Sequence, residues 1–294
     1  METTRLFSWI LILFSTTCHL SRGNAWNSGD DVIILSMMEN SAAYVYSQSD
    51  ESDMLAIEYL ATERRFNKTL DYAWKKAVNK RKNDPRLSKV PVPPGLKEEH
   101  VLAIIAYTLE TELYRQLNAA LRLFGANDWV YAQKFPFKSF QYLLSVALER
   151  LREDLGKPPQ PTYRRMTIRS IGKVGDRIKF GSFVSSSRSK EHDEFGKETI
   201  FTISSQYGAQ IQNYSAIPNE EEVLIPPYEA FIITSCEQRP DGVNISVQTD
   251  GKAGIPVRVE RGSKDKMIVL RCEGTAISPI AWFSILSLLV HISL

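Results

Sequence analysis

"IPNEEEVLIPPYEAFIIT" (Ile217–Thr234) sets an acidic triplet directly before an apolar, β-branched run that is typical of a buried strand. Such a triplet most often lies in a turn with its carboxylates in solvent, and the Pro-Asn pair in front of it favours a turn. In an extended segment, however, Glu220 and Glu222 would point to one face and Glu221 to the other. Under that second interpretation, two carboxylates can converge on one ligand at the entrance of the strand.

Strand-like runs continue on both sides of this segment through the second half of the chain. Gly, Asp, Asn or Pro turns separate short runs that are rich in β-branched and aromatic residues. The runs are YRRMTIRSI, RIKFGSFVSS, ETIFTISS, EVLIPP, EAFIITSC, NISVQT, IPVRVE and KMIVLRC, beginning at residues 163, 177, 198, 222, 229, 244, 255 and 266. We therefore predict an antiparallel sheet for this half.

Upstream of the proline-rich break GKPPQPT (156–162), apolar residues recur at helical spacing instead. Helices followed by strands indicate an α+β fold, with a helical N-terminal half packed on an antiparallel β-sheet, and not an alternating nucleotide-binding fold. We predict one helix capped by Ser52 that ends before Pro85, one from near Lys97 to a cap at Gly125, and one from Ser139 to Leu155 with Gly156 at its end.

Both ends of the chain carry processing signals. Residues 6–14 form an apolar segment behind Arg5, and small residues precede Trp26, so we predict a signal peptide over residues 1–25. Residues 279–294 are almost wholly apolar and follow small residues, which is typical of a glycosylphosphatidylinositol (GPI) attachment signal. The predicted organisation is a mature domain at 26–274, with a helical part at 26–155 and a β-rich part at 160–274, followed by a propeptide at 275–294.

Cysteines and glycosylation motifs agree with export. Cys18 would leave with the signal peptide, and Cys236 and Cys272 remain as a pair that can form one disulfide in an oxidising compartment. Three Asn-x-Ser/Thr motifs fit the same route, at Asn67, Asn213 and Asn244.

Composition and motifs exclude several classes of chemistry. A formal net charge of +2, without a basic block, does not indicate nucleic-acid binding. The chain has no phosphate-binding Gly-rich loop and no G-x-S-x-G elbow. Its four histidines are scattered, so they suggest neither a metal site nor a Ser-His triad, and His192 is expected at the surface. The candidate functional residues that remain in the β-rich half are Arg, Ser and Glu, a set suited to binding an anion and stabilising a cation.

Three elements of that half together resemble a known family. They are TYRR (Thr162–Arg165), FGSFVSSS (Phe180–Ser187) and EEEVLIPPYEAF (Glu220–Phe231). Their Arg, Ser, Glu-x-Glu series resembles the signature of the arginine-specific mono-ADP-ribosyltransferases, GPI-linked vertebrate ectoenzymes related to bacterial ADP-ribosylating toxins. LNAALRLFG and FPFKSFQYLLSVALERL resemble the family's helical half, so the likeness covers nearly the whole mature chain. It implies a toxin-like α+β fold with an NAD cleft.

The resemblance also implies a binding set for NAD, which would serve as co-substrate without a metal. Tyr163 and Arg164 match the Tyr-Arg of the family's Tyr-Arg-Gly element, and a guanidinium can contact a diphosphate in a planar, bidentate manner. Arg165 stands where the family usually has Gly. Ser185 opens a Ser-Ser-Ser run that resembles the family's Ser-Thr-Ser, in which a small hydroxyl orients a carboxylate and contacts the ribose.

The same resemblance implies a different role for each glutamate of the acidic triplet. Glu222 matches the second Glu of Glu-x-Glu, whose carboxylate stabilises the oxocarbenium character that develops when the bond between ribose and nicotinamide breaks. Glu220 matches the first Glu, which holds and deprotonates an acceptor guanidinium. Glu221 would be solvated or paired.

Two aromatic residues are weaker candidates for the same site. Phe195 lies in RSKEHDEFGKE (188–198), where the family has a loop that folds over nicotinamide, and it could stack on that ring or belong to the core. Tyr214 precedes the acidic triplet and could contact an acceptor.

The function implied is transfer of ADP-ribose from NAD to arginine side chains of extracellular proteins by a GPI-anchored enzyme. Two alternatives stay open from the sequence. One is an NAD glycohydrolase that uses water as acceptor, and the other is an inactive surface protein that keeps the fold for recognition.

Overall fold

The computed structural model of the chain describes residues 32–34, 42–125, 128–158, 160–262 and 267–271. All of them belong to a unit that begins at Val32. The predicted signal peptide (1–25), the predicted GPI propeptide (275–294) and Cys272, the predicted partner of Cys236, lie outside these ranges. Within the described residues, none of the helices is both long enough and apolar enough to span a bilayer.

The first part of the described chain is mainly helical. Its α-helices are α1 (Asp50–Phe66), α2 (Lys68–Asn83), α3 (Glu98–Thr108), α4 (Leu113–Phe124), α5 (Asp128–Lys134) and α6 (Lys138–Leu155). The third predicted helix is confirmed as α6, which ends at Gly156, a residue with φ of 80°. The short α5 was not predicted from the sequence.

The first predicted helix is in fact two helices, and its predicted cap was wrong. Ser49, not Ser52, caps α1, since its hydroxyl accepts the N–H of Ser52 at 3.0 Å. Asn67 ends α1 and caps α2, where its side-chain oxygen accepts the N–H of Leu70 at 3.0 Å. A single Asn can supply such a cap without interrupting the apolar pattern, which is why periodicity alone did not reveal the break.

The second predicted helix begins and ends where expected, at caps Lys97 and Gly125, but it is broken in the middle. The hydroxyl of Thr108, the last residue of α3, donates to the carbonyl of Ile104 at 3.0 Å. Residues 109–112 then form bends before α4 resumes at Leu113. The continuous apolar stripe concealed a break that faces the candidate site.

The strands are β1 (Val32–Ile34), β2 (Tyr44–Tyr46), β3 (Thr162–Met166), β4 (Arg169–Ile171), β5 (Arg177–Ile178), β6 (Val184–Ser187), β7 (Thr199–Ser204), β8 (Ala209–Gln210), β9 (Glu222–Ile225), β10 (Glu229–Arg239), β11 (Gly242–Lys252), β12 (Ile255–Arg261) and β13 (Met267–Arg271). Eight of them form one sheet in the order β5-β10-β11-β7-β3-β6-β9-β8. Its neighbours are antiparallel except β7 and β11, which are parallel. The predicted α+β class is confirmed.

Smaller strand pairings join the two halves of the chain. β12 lies between β13 and β2, and β2 pairs with it in parallel through Tyr44 and Ile255. β1 pairs in parallel with β4. The mainly helical part therefore contributes strands as well, which the sequence analysis did not predict.

Two apolar clusters make up the core. One combines the buried faces of the helices with residues of the β-rich part such as Phe183 and Leu224. The other lies among strands and includes Phe201, Phe231 and Ile245. The first cluster fixes the helices against the β6 and β9 end of the sheet, which is where the predicted motifs lie.

A buried carboxylate ties α1 to α3 and α6. Asp53 is fully buried, and its oxygens accept from Tyr142 at 2.8 Å and from Arg150 at 2.9 Å. His100 Nε2 lies 3.4 Å from the same carboxylate. Burial alone would raise the pKa of Asp53, but these partners outweigh it and lower the pKa to about 2. The ionised carboxylate therefore stabilises the folded state at neutral pH.

We expect Asp53→Ala to lower the free energy of unfolding at pH 7 by about 2–4 kcal/mol, because Arg150 and Tyr142 would lose their buried acceptor. The contribution of Asp53 is present above its unfolded pKa of 3.8 and is lost as the pH falls towards 2. Urea unfolding followed by circular dichroism at pH 7 and at pH 3 measures both effects.

Glu58 provides the matched control, since it forms an exposed ion pair with Arg261. Glu58→Ala should leave the urea midpoint unchanged. Equal losses of stability in the two variants would contradict a special role for the buried cluster.

Candidate active site

A cavity of about 580 Å³ opens between the helical part and the middle of the large sheet. All six residues predicted for the site line it, namely Tyr163, Arg164, Ser185, Phe195, Glu220 and Glu222. The helical part contributes Tyr107, Thr108, Tyr114, Asn118 and Arg122, and a loop contributes His192. The structure thus brings the predicted residues together and adds others that the sequence analysis did not select.

Strand order explains why motifs about 60 residues apart meet here. β6 lies between β3 and β9 in the sheet. Ser187 on β6 pairs with Tyr163 on one side and with Glu222 on the other. Since neighbouring strands lie roughly 5 Å apart, this register places the Arg, Ser and Glu elements side by side.

Four arginines line the cavity, and two of them, Arg115 and Arg165, pair with the carboxylates of Glu112 and Asp193. The other two provide the available positive charge. Arg164 donates from Nη1 to the carbonyl oxygen of Ser185 at 2.7 Å, and Arg122 on α4 donates to the hydroxyl of Ser182 at 2.8 Å. Both acceptors are neutral, so the charges stay available for an anion. Burial lowers the pKa of Arg164, and desolvation together with the charge of Arg164 lowers the pKa of Arg122. An arginine nevertheless stays protonated at neutral pH, which makes the pair a suitable diphosphate site.

Glu222 is the buried carboxylate of the cavity, at 4 % exposure. Burial raises the pKa of Glu222 to about 7, and the charge of Glu220 adds to this effect. Ser185 and Arg164 oppose it and favour the ionised form. A carboxylate with such a pKa, beside a cation and in a concave site, is well suited to stabilising a positive charge that forms during a reaction.

The acidic triplet does not have the extended geometry predicted for it. Residues Pro218–Glu220 form a turn of 3-10 helix, and Glu221 has a left-handed backbone with φ of 45°. Only Glu222 begins strand β9. Alternation along a strand is therefore the wrong explanation, because the proline-initiated turn and the left-handed residue reorient the chain. Glu220 and Glu222 nevertheless both face the cavity.

The other two glutamates differ in their surroundings. Burial raises the pKa of Glu220, His192 opposes the rise, and Glu110 and Glu194 add to it. The Glu221 carboxylate is 41 % exposed and lies 3.8 Å from Arg188. Glu220 thus has the properties of a proton acceptor in the cavity, whereas Glu221 is a surface residue with a loose ion pair.

His192, expected at the surface, lies in the cavity wall. Its side chain is 17 % exposed, and its Nδ1 is 2.9 Å from Glu194. Its ring centroid is 5.7 Å from that of Phe195, which is 45 % exposed and so does not belong to the core. The prediction for His192 was wrong because the following short 3-10 helix, Asp193–Phe195, turns this loop back over the sheet. Tyr214, the weaker acceptor candidate, is buried in the core.

Residues of the helical part form the wall that sequence analysis missed. Asn118 donates to the Tyr107 hydroxyl at 3.0 Å, and that hydroxyl lies 3.4 Å from the carbonyl oxygen of Phe183. Burial raises the pKa of Tyr107 to about 12, with Asn118 opposing and Glu222 reinforcing the effect. Asn118 and Arg122 are four residues apart on α4 and so share one face. That polar pair on a largely apolar helix was the available signal.

The segment before the acidic triplet is fastened to the helical part. Arg86 donates to the carbonyl oxygens of Asn213 and Ser215, each at 2.5 Å. The N–H of Ala216 donates to the Thr108 hydroxyl at 2.8 Å. The break after α3 therefore has a function in the fold, because it holds the turn that carries Glu220. Among the described residues, no group of three or more His, Cys, Asp and Glu side chains is placed to hold a metal ion.

Comparisons with known proteins agree with this arrangement. Residues 36–254 match the family model of NAD:arginine ADP-ribosyltransferases. The chicken (Gallus gallus) erythroblast NAD(P)(+)--arginine ADP-ribosyltransferase is 30% identical over 246 residues, covering 83% of this chain and 81% of that protein. The mouse (Mus musculus) GPI-linked NAD(P)(+)--arginine ADP-ribosyltransferase 1 is 37% identical over 172 residues, covering 57% of this chain and 50% of its own length.

Solved structures give the same result for the fold. The eucaryotic mono-ADP-ribosyltransferase ART2.2 superposes with a TM-score of 0.63 at 25% identity, covering 79% of this chain and 97% of that chain. A variant of ART2.2 in complex with NAD superposes with a TM-score of 0.62 and the same coverage.

Ser185→Ala should raise the pKa of Glu222 above about 7, by about half a pH unit, because Ser185 favours the ionised form of this carboxylate. Carboxyl ¹³C NMR titration of glutamate-labelled protein, with Glu222→Gln to assign the resonance, measures the change. Ser186→Ala is the control, since the Ser186 hydroxyl donates to the carbonyl of Val223. The same pKa in wild type and Ser185→Ala would contradict this role for the hydroxyl.

Proposed function

The chain belongs to the family of NAD:arginine ADP-ribosyltransferases, and from that premise we propose that its cavity binds NAD and transfers ADP-ribose to arginine side chains, with release of nicotinamide. The observation that carries this proposal is the meeting of Arg164, Ser185 and Glu222 on three adjacent strands, with Glu220 beside them. Each of these groups has a task in the reaction that its surroundings suit.

Binding of NAD uses the two arginines. Arg164 and Arg122, each bonded to a neutral oxygen, contact the diphosphate, whose negative charges would otherwise be costly to desolvate. Ser185 would contact the adjoining ribose, since Ser185 and Tyr163 both line the cavity. Phe195 is exposed at the cavity and offers its ring to nicotinamide.

Cleavage breaks the bond between the ribose C1′ and the nicotinamide nitrogen. The bonding electron pair leaves with nicotinamide, which changes from a cation to a neutral molecule, and positive charge moves onto the ribose. The ionised Glu222 stabilises this oxocarbenium-like centre more strongly than the ground state. The positive charge of the substrate also favours ionisation of Glu222, whose pKa burial raises to about 7.

Transfer requires an arginine guanidinium to lose a proton as its nitrogen attacks C1′. Glu220 holds the guanidinium and accepts that proton, and its raised pKa makes it a better base than an exposed glutamate. Without an acceptor, water would complete the reaction and the products would be ADP-ribose and nicotinamide. The NAD glycohydrolase alternative therefore differs from the transferase only on the Glu220 side of the cavity.

Single glutamine replacements in the acidic triplet test these roles. Glu222→Gln should lower nicotinamide release from NAD by roughly 100-fold or more, with and without agmatine as acceptor, because it removes the carboxylate beside C1′. Glu220→Gln should abolish ADP-ribosyl-agmatine formation but retain NAD hydrolysis. Nicotinamide release and labelled agmatine, both measured by liquid chromatography, separate the two reactions.

Glu221→Gln is the matched control, since Glu221 is exposed and paired only loosely with Arg188. Its rates should equal those of wild type. If the wild type hydrolyses NAD at the same rate with agmatine present and forms no ADP-ribosyl-agmatine, a glycohydrolase would be favoured. Folded wild-type protein that binds NAD without releasing nicotinamide would favour a recognition protein.

We also propose a site of action, supported by the composition of residues 275–294 and by the GPI-linked relative. The mouse relative is named as GPI-linked, and residues 275–294 have the composition of an attachment signal. The enzyme would then reside on the extracellular face of the plasma membrane, where arginine-bearing surface proteins are its acceptors.

Phosphatidylinositol-specific phospholipase C should release the full-length protein from the surface of transfected cells into the medium, because it cleaves a GPI anchor. A chain that ends at Gly274 should enter the medium without the enzyme. Protein that stays with the cells until detergent is added would contradict GPI anchoring. Immunoblotting of medium and cell fractions measures the distribution.

A further inference from the structure

The loop from Arg188 to Gly196 crosses one side of the cavity and carries His192 and Phe195 into its wall. It follows β6 and leads to β7, and it contains no strand of its own. Both rings can act on a ligand only if the loop keeps its place over the sheet. The contacts that hold it come mainly from β3.

Arg165 makes the most extensive of these contacts. Its Nε and Nη2 both donate to the carbonyl oxygen of Lys190, at 3.1 and 2.8 Å, and its Nη1 lies 2.9 Å from the Asp193 carboxylate. The side chain is only 16 % exposed. All three guanidinium nitrogens are thus engaged with the loop, in contrast to the neighbouring Arg164, which donates to Ser185 and keeps charge for the cavity.

Other residues of β3 support the same attachment. Gly196, with φ of 119°, packs so closely that a Cβ there would lie 2.4 Å from the backbone carbon of Met166. Lys190 Nζ lies 4.8 Å from the centre of the Tyr163 ring. The loop is therefore held near both of its ends, and Arg165 supplies the contact between them.

We propose that Arg165 is a positioning residue, which clamps the loop 188–196 onto β3 and so keeps His192 and Phe195 preformed at the end of the cavity where nicotinamide binds. The part of this proposal that concerns nicotinamide rests on the proposed function; the clamp itself does not. Arg165 occupies the position where resemblance to the family leads one to expect Gly, so this chain would hold its loop by a side chain. A preformed loop lowers the ordering cost of binding.

The clamp should act on the loop and not on the whole fold. Its acidic partner Asp193 is 61 % exposed, and such pairs add little to global stability. Within the loop, the N–H groups of Phe195 and Gly196 donate to the carbonyls of His192 and Asp193, each at 3.1 Å. These amides exchange slowly with solvent only while the loop is ordered, so they report on the clamp.

The test compares Arg165→Gly, Arg165→Lys and the control Arg169→Gly in the secreted protein. Arg169 also lies on a strand, β4 of the two-stranded sheet, but its guanidinium donates to Gln238 and Gly242. Hydrogen exchange by mass spectrometry should show at least about tenfold faster exchange at residues 190–196 in Arg165→Gly. Its Tm should stay close to that of Arg169→Gly, since a glycine within a strand lowers the stability of both variants. Lysine has a single ammonium group and not a planar guanidinium with several donors, so Arg165→Lys should restore slow exchange only in part. Arg169→Gly should leave the loop as in wild type.

Kinetics complete the test. Arg165→Gly should raise the KM for NAD by about tenfold and change kcat less, because binding must then order the loop. Unchanged exchange at 190–196 would overturn the proposal, and a raised KM with unchanged exchange would mean that Arg165 binds NAD directly. A wild-type protein without turnover would refute the proposed function, but the exchange experiment would still decide whether Arg165 clamps the loop.

Discussion

The register of β6 between β3 and β9 is the constraint on which the rest of the site depends. Ser187 pairs with Tyr163 and with Glu222, so the Arg, Ser and Glu elements meet through backbone hydrogen bonds before any side chain is considered. A slip of one residue would turn the Glu222 side chain to the opposite face of the sheet. Leu224 packs in the cluster shared with the helices and Ile225 in the cluster among the strands, so a slip would also interchange these two apolar environments.

The helical part supplies the remaining wall of the cavity and positions Glu220. The break between α3 and α4 sets Thr108 against the segment before the acidic triplet, and α4 directs Asn118 and Arg122 into the cavity. Arg86 holds the same segment from the turn that follows α2. Glu220 therefore owes its position to helices that are distant from it in sequence, whereas Glu222 owes its position to the sheet.

The sequence predicted the fold class and six residues of the β-rich half that line the cavity, because short β-branched runs and a specific motif carry that information. It predicted the helical half less well. A continuous apolar stripe conceals a break when the interrupting residues are themselves compatible with a helix, as at Thr108 and Asn67. Tertiary packing decides that Tyr107, Asn118 and Arg122 line the cavity. The position of His192 is set by its loop, which is attached to β3 through Arg165. No local period encodes such contacts.

The cavity places opposite charges in surroundings that favour the ionised form of neither group. Burial raises the pKa of Glu222 from 4.5 to about 7, so the ionised carboxylate costs the folded state about 3 kcal/mol above that pH. Burial likewise lowers the pKa of Arg164. A ligand that brings a diphosphate to Arg164 and a developing cation to Glu222 would relieve both costs at once. The positive charge on the ribose is greatest in the transition state, so the ionised Glu222 carboxylate is stabilised most strongly there. An arrangement that is unfavourable for folding thus becomes favourable for the reaction.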